Sequence, residues 1–132
     1  MIDKNKINIP VSVGELADKI TILEIKKDKI SNKLDLREIN KELKLLKQIW
    51  KKKKLLSLKV KIEFKKLKKI NLRLWSIEDK KRKHERDKVF NKKFINLARN
   101  VYILNDKRAS IKKNINKLTG SDINEVKSYK KY

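Results

Sequence analysis

Three residue types are scarce or missing in this chain of 132 residues, and each limits the fold. There is no cysteine, which excludes disulfides, thiolate metal sites and a cysteine nucleophile. With two glycines and one proline, the chain lacks the turn residues of an all-β fold and has little to interrupt a helix. We therefore predict an all-α protein.

Long apolar segments are also missing. No run approaches the roughly 18 apolar residues that a membrane-spanning helix needs, and the opening stretch MIDKNKINIP lacks the apolar middle of a signal peptide. The length fits a single helical domain, residues 1–132, built around one core. We expect a cytoplasmic protein with no membrane span.

Acidic residues are strongly outnumbered, and the formal net charge is +23. Clustered cations attract nucleic acid because they release counterions from phosphates. The excess is almost entirely lysine, however, and arginine is the residue that typically reads base edges. Isoleucine and asparagine are abundant too, so genome composition accounts for part of the lysine excess. The lysine coat therefore predicts nonspecific attraction only.

The distribution of charge separates the chain into regions. Residues 41–70, the lysine-rich middle, hold 13 basic side chains and only 2 acidic ones. All 6 arginines lie outside this region, as do the other carboxylates. We therefore expect specific polar chemistry in the first and last thirds of the chain.

Start signals and periodic apolar residues divide the chain into four helices. Ser12 and Glu15 form a capping box ahead of the first helix, and Asp35 with Glu38 repeats this pattern. Gly120 is a typical C-terminal cap. The predicted helices span residues 13–31, 36–54, 58–86 and 89–118, and a short turn follows at 122–129.

The fourth predicted helix has the most regular pattern. Its apolar positions advance by alternating steps of four and three, as in a coiled-coil seam: Phe90, Phe94, Leu97, Val101, Leu104, Arg108, Ile111, Ile115 and Leu118. We expect it to form a long hairpin with the third helix, as the stable spine of an elongated antiparallel helical bundle. Because such a bundle has a small core and repels itself, a homodimer is also expected.

Arg108 is the polar residue on this seam. An inward guanidinium needs a carboxylate partner, because an unpaired buried charge is costly. The candidate partners are Glu15, Asp18, Glu24, Glu78, Asp79 and Asp106. In the simplest interpretation the ion pair only sets the register of the helices.

Two further interpretations give these residues a ligand. In the first, Arg82, Arg99 and Arg108, flanked by Tyr102 and Asn105, form a pocket for a phosphate or carboxylate. The face of the third helix that carries Arg82 also carries Asn71, Trp75, Glu78 and Glu85. In the second, four carboxylates bind Mg²⁺, as in all-helical pyrophosphatases: Glu78, Asp79, Glu85 and Asp106.

Several segments resemble a family of short all-helical bacterial and phage proteins that is a domain of unknown function: GELADKITILEIK, LWSIED, FINLARNVYILNDKRASIKKNIN and KSYKKY. The resemblance leaves out the lysine-rich middle and implies no activity, although it implies a link to cell-surface glycan synthesis. It points to Glu15, Asp18, Lys19, Thr21, Glu24, Trp75, Glu78, Asp79, Arg82, Arg99, Tyr102, Asn105, Asp106, Arg108 and Lys112.

Three functions remain open from the sequence. The leading hypothesis is a non-enzymatic helical module that binds an anionic small molecule or protein partner through its polar seam. The first alternative is an all-helical enzyme acting on a phosphorylated or carboxylated metabolite, the only case in which a cofactor, Mg²⁺, is expected. The second is nonspecific nucleic-acid binding through the lysine coat.

Overall fold

A computed structural model of the chain describes residues 5–55 and 57–132. These residues form a bundle of four α-helices and contain no strand, which confirms the all-α prediction. In chain order the helices are α1 (Val13–Lys29), α2 (Lys33–Lys52), α3 (Leu58–Asp87) and α4 (Lys92–Thr119).

The helix starts follow from local capping. The Ser12 hydroxyl accepts a hydrogen bond from the Glu15 amide (3.0 Å), so α1 begins as the capping box predicts. The start predicted for α2 at residue 36 is wrong. The Asn32 side chain caps α2 by accepting from the Leu34 and Asp35 amides (3.0 Å each), so Asp35 lies inside the first turn rather than ahead of it. Because Asn32 already caps the next helix, α1 ends at Lys29 rather than at residue 31.

The connection between α3 and α4 is tight. Lys88 adopts a left-handed conformation (φ 55°) that ends α3, and the Asn91 side chain caps α4 by accepting from the Phe94 amide (3.2 Å). Phe90 therefore precedes α4 and is not on its seam, which corrects the predicted start at residue 89. Its ring instead packs edge-on against Phe94, with centroids 5.3 Å apart.

Helix α1 is the centre of the bundle, since it packs against each of the other three helices. It also has the most buried residues: Gly14, Leu16, Ala17, Asp18, Ile20, Thr21, Leu23 and Ile25. Helix α4 buries only Leu104, Ile115 and Asn116. Helices α3 and α4 pack against each other in the most extensive contact between any two helices. That their hairpin is the stable spine of the bundle stays a prediction.

The apolar core has two parts. The larger part joins α1 to α2, α3 and the end of α4, and includes Trp50, whose ring lies 5.6 Å from that of Phe64. The smaller part lies between α3 and α4 and is built on Ile70, Ile77 and Leu104. Ile111 of α4 packs against both parts, and in sequence it lies between Arg108 and Lys112.

Glycine brings α1 and α4 close together. The Gly14 amide donates to the Asn116 side chain (2.6 Å), and a Cβ atom at Gly14 would lie only 2.4 Å from the Lys112 carbonyl oxygen. Only glycine fits this contact without a shift of the backbone. The close approach places the first two turns of α1 directly against Arg108 and Lys112.

The C-terminal segment, residues 121–132, contains no helix, so the short turn predicted at 122–129 is wrong. Ser121 is not available as a helix cap, because its hydroxyl accepts from the Val13 amide (3.1 Å) and donates to the Ile123 carbonyl (2.7 Å). The segment runs back along α4 instead, and the Tyr132 ring meets that of Tyr102 with centroids 5.1 Å apart. Within the described ranges, no helix combines the length and the apolar character needed to cross a membrane.

Candidate polar site between α1, α3 and α4

Arg108 forms a two-pronged ion pair with Asp18. Its Nε donates to Asp18 Oδ1 (2.9 Å), and its Nη2 donates to Oδ2. Asp18 is one of the six carboxylates that the sequence offered as partners, so the prediction of a paired Arg108 is confirmed. This fork-shaped geometry is the strongest arrangement available to an arginine and a carboxylate.

The Asp18 carboxylate also binds α3. Asn71 Nδ2 donates to Asp18 Oδ1 (2.9 Å) and to Thr21 Oγ1 (2.9 Å), while the Thr21 hydroxyl donates to the Asp18 carbonyl (2.8 Å). One buried carboxylate of α1 is thus held by side chains from two other helices, α3 and α4. Among the described residues, no buried side-chain nitrogen or oxygen lacks a hydrogen-bond partner.

The pKa of Asp18 reflects two opposing effects. Burial acts to raise it, but hydrogen bonds from Arg108 and Asn71 outweigh burial and hold the pKa below its ordinary value of 3.8. Because the folded pKa is the lower one, Asp18 stabilises the fold above pH 3.8. This contribution is lost as the pH falls from that value through the folded pKa. The bond to Asp18 correspondingly raises the pKa of Arg108.

The ammonium group of Lys112, one turn after Arg108 on α4, lies close to three carboxylates. Its Nζ lies 2.6 Å from Glu15 Oε2, 3.6 Å from Asp18 Oδ2 and 3.4 Å from Glu125 Oε2. Glu15 and Asp18 belong to α1, whereas Glu125 comes from the C-terminal segment. Since the Lys112 side chain is only 12% exposed, these carboxylates replace most of its water shell.

Glu125 is the weakest-held of these carboxylates. Its side chain is 46% exposed, its contact with Lys112 is long, and it also binds Lys127 Nζ (2.9 Å). The hydrogen bond from Lys127, together with the charge of Lys112, lowers the pKa of Glu125, so this side chain is ionised at neutral pH. An exposed carboxylate on an irregular segment is the group that an external anion can displace most readily.

These residues surround a polar cavity of about 340 Å³ between α1, α4 and the C-terminal segment. The segment forms one wall, and beyond it partial desolvation and the neighbouring Asp106 raise the pKa of Tyr132. The cavity is lined by Glu15, Asp18, Asn105, Asp106, Arg108, Ala109, Lys112, Glu125, Lys127 and Tyr129.

The structure brings together only part of the predicted anion pocket. Asn105 lies beside Arg108 and accepts from its Nη1 (3.3 Å). Arg99 lies nine residues earlier on α4, about 13 Å along a straight helix, and Arg82 is bound to Glu78 near the end of α3 (3.0 Å). Neither arginine lines the polar cavity. Tyr102 contacts the C-terminal tyrosine instead.

The remaining predicted residues are dispersed. Glu24 pairs with Lys68 (3.2 Å), and Glu78 is exposed and pairs with Lys81 and Arg82. Asp79 is exposed and Trp75 half-buried on α3, outside the cavity. Glu85 pairs with Lys88 (3.1 Å). Within residues 5–55 and 57–132, no group of three or more histidine, cysteine, aspartate or glutamate side chains is placed to hold a metal.

Several residues of the polar site were not predicted from the sequence to belong to a functional site. Lys112 and Thr21 were indicated only by the family resemblance, and Asn71 only by its place on a polar helix face. Glu125, Lys127 and Tyr129 were missed entirely, because they reach the site through the return of the C-terminal segment. No local pattern predicts that path, since each of its contacts with α1 and α4 joins residues distant in sequence.

Comparison with known proteins identifies a family and nothing further. Neither the curated proteins nor the solved structures contain a match to this chain. Residues 6–132 match the model of a family of unknown function, DUF6165, and this match includes the lysine-rich middle that the resemblance had left out. The chain belongs to the family DUF6165.

Proposed function

We propose that this protein is a helical binding module that holds a small anionic ligand in the polar cavity between α1, α4 and the C-terminal segment. The observation that carries the proposal is the contact of Glu125 with Lys112. Glu125 places a carboxylate at the mouth of the cavity, where a ligand carboxylate or phosphate would meet the same ammonium group.

The surroundings of Lys112 support this mode of binding. A ligand that displaced Glu125 would accept from Lys112 and would also free Lys127, so two cations would face the incoming anion. Arg108 would remain bound to Asp18 and would present its remaining Nη1 edge beside Asn105. The protein would therefore exchange the half-exposed Glu125 for the ligand anion as a partner of Lys112, so Lys112 would stay paired throughout.

The pairing of carboxylates favours a binding module over the Mg²⁺-dependent enzyme. Of the four carboxylates proposed as metal ligands, Glu78 and Glu85 pair with cations on or just after α3, whereas Asp106 lines the polar cavity on α4. Carboxylates that neutralise neighbouring cations are not arranged as a shared metal shell. Nonspecific nucleic-acid binding stays a prediction, to be checked by the steep loss of affinity with salt that counterion release requires.

Substitutions on the exposed C-terminal segment test the proposal without disturbing the buried pair. Inorganic phosphate, succinate and glucose 1-phosphate are titrated into the full chain, and binding is followed by calorimetry and by the amide resonances of residues 121–132. The sugar phosphate is included because the family resemblance implies a link to glycan synthesis. In Glu125→Gln the competing carboxylate is removed, so affinity should rise about two- to fivefold.

Two variants serve as comparisons. Lys127→Gln removes a cation from the cavity and should weaken binding by a similar factor. Glu85→Gln, which breaks a comparable exposed pair at the far end of α3, should leave affinity unchanged. If none of the probes binds, or if Glu125→Gln and Glu85→Gln behave alike, the polar cavity is not an anion site.

A further inference from the structure

A second cavity, of about 410 Å³, lies between the C-terminal end of α2 and the N-terminal end of α3. Its interior is apolar, and Trp50 and Phe64 form much of it, with Ile20 of α1 behind them. It shares no lining residue with the polar cavity. Its volume lies in the range of small-molecule sites, which are mostly lined by hydrophobic and aromatic side chains.

Two large apolar side chains at this cavity remain open to solvent. Leu58 is 75% exposed and Ile62 is 47% exposed, and both lie on the first turns of α3 beside the aromatic interior. A hydrocarbon chain laid against them would remove apolar surface from water on both sides of the contact.

Cations surround the same opening. Lys47 and Lys51 on α2, and Lys61 and Lys65 on α3, each form a pair four residues apart, so each pair lies on one helix face. None of the four forms an ion pair with any described carboxylate. Among the described lining residues the one carboxylate, Glu24, is already bound to Lys68 (3.2 Å).

The combination of an apolar interior and a rim of unpaired lysines defines the ligand class. Sugar phosphates have no apolar part to fill the interior, nucleotide bases would bury polar edges that find no partner there, and cationic amphiphiles would be repelled by the rim. We propose that this cavity binds a single-chain anionic amphiphile, such as a fatty acid or an alkyl phosphate. The chain lies against Trp50, Phe64 and Ile62, and the head group is held by the four lysines.

The position of α3 adds to the attraction for the head group. Leu58 and Lys61 belong to the first turn of α3, where the helix dipole places partial positive charge. No acidic residue occupies this turn, so the dipole is not offset there. The head group would therefore meet both the lysines and the positive end of the helix.

Dodecyl phosphate, kept below its aggregation concentration, is the probe. Calorimetry with the unsubstituted chain should show saturable binding of one molecule per chain. In Trp75→Phe, where Trp50 is the only remaining tryptophan, emission should shift to shorter wavelength with the same saturation. Dodecanol and dodecyltrimethylammonium, which share the chain but not the anionic head, should bind at least about tenfold more weakly.

Matched charge variants locate the site. Replacing the rim lysines Lys47, Lys51, Lys61 and Lys65 with Gln should weaken binding about tenfold or more, the sum of several exposed ion pairs. Replacing Lys52, Lys53, Lys54 and Lys59 with Gln makes the same change in net charge on the same segment, outside the cavity lining, and should change affinity little. Glu125→Gln, at the polar cavity, should leave this binding unchanged, which separates this proposal from the first.

Three results would overturn the proposal. The first is the absence of saturable binding of dodecyl phosphate. The second is an equal loss of binding in the two lysine variants, which would mean that net charge alone attracts the amphiphile. The third is binding to anionic vesicles or to RNA without binding to the monomeric amphiphile, which would assign the lysines to a macromolecular surface.

Discussion

At the scale of single residues, the Asp18–Arg108 pair is buried unequally. The Asp18 side chain is 2% exposed, whereas that of Arg108 is 28% exposed and reaches the polar cavity. Removing either partner leaves the other with a charge in a partly dry environment, which typically costs about 3–5 kcal/mol. Replacing both by apolar side chains removes that charge penalty and leaves only the loss of the Asp18 acceptor for Asn71, so function can be tested separately from most of the effect on stability.

The double variant Arg108→Leu with Asp18→Met is the decisive one. The single change Arg108→Leu should lower the free energy of unfolding by about 3–5 kcal/mol because Asp18 loses its main partner. The double change should restore most of the lost stability, yet weaken binding of the anionic probes, because the Nη1 edge of Arg108 is lost while Lys112 and Lys127 remain. Urea unfolding and calorimetry measure the two effects, and a double variant that binds as the parent does would make the pair purely structural.

The same variants have a pH signature. Since the pKa of Asp18 is lowered by folding, the parent should lose stability as the pH falls below 3.8, while the double variant lacks this loss. As the pH is lowered from 5 to 3, the free energy of unfolding should therefore decrease more in the parent than in the double variant. An unchanged difference would mean that Asp18 titrates alike in both states.

At the scale of secondary-structure elements, the contact of α1 with α4 positions the polar site. It depends on Gly14, where the two backbones approach most closely. Lys112 contributes to this contact twice, through its carbonyl oxygen near Gly14 and through its ammonium group on Glu15. A change in the spacing of the two helices should therefore alter the site as well as the stability.

Gly14→Ala should destabilise the fold by about 1–3 kcal/mol, because the added methyl group meets backbone rather than a movable side chain. Urea unfolding gives the magnitude, and the amide resonances of the C-terminal segment should shift as Lys112 moves. Gly120→Ala is the control: it has open space around it, and its cost of about 1 kcal/mol arises only from its positive φ. Its amide shifts should stay local, and a Gly14→Ala protein as stable as the parent would disprove the close contact.

At the scale of the whole molecule, charge works against folding. The formal net charge of +23 is distributed over a helical bundle with a small core, so self-repulsion lowers the stability of the folded chain. Lys51, Lys52, Lys53 and Lys54 are all exposed, as expected for a solvated surface. The predicted homodimer and the predicted nonspecific binding of nucleic acid were both inferred in part from this net charge, and both stay predictions.

Replacing Lys51, Lys52, Lys53 and Lys54 with Gln should change the free energy of unfolding by less than about 1 kcal/mol at moderate salt. The parent's thermal midpoint should rise between about 0.01 M and about 0.1 M salt, as the screening length falls from roughly 30 Å to roughly 10 Å. The variant should show a smaller rise, since it carries less charge. Thermal melts followed by circular dichroism measure both effects, and a large loss of stability would make these lysines structural.

Much of the local structure is determined by the sequence alone. The all-α class, the start of α1 at its Ser12 cap, the stop at Gly120 and the solvated lysines depend on interactions within a few residues. The need of Arg108 for a carboxylate is equally general, because it follows from the cost of burying charge. The predicted start of α2 was wrong because two capping residues, Asn32 and Asp35, competed for the same helix start.

The tertiary structure alone decided which groups meet. Asp18 and Arg108 are 90 residues apart in sequence. From the sequence alone, any of six carboxylates could be the partner of Arg108, and only the packing of the helices selects Asp18. The central place of α1, the return of residues 121–132 along α4 and both cavities are likewise products of packing. Periodicity reports which face of a helix is apolar but carries no information on which other helix covers it, so these contacts depend on the crossing of helices in three dimensions.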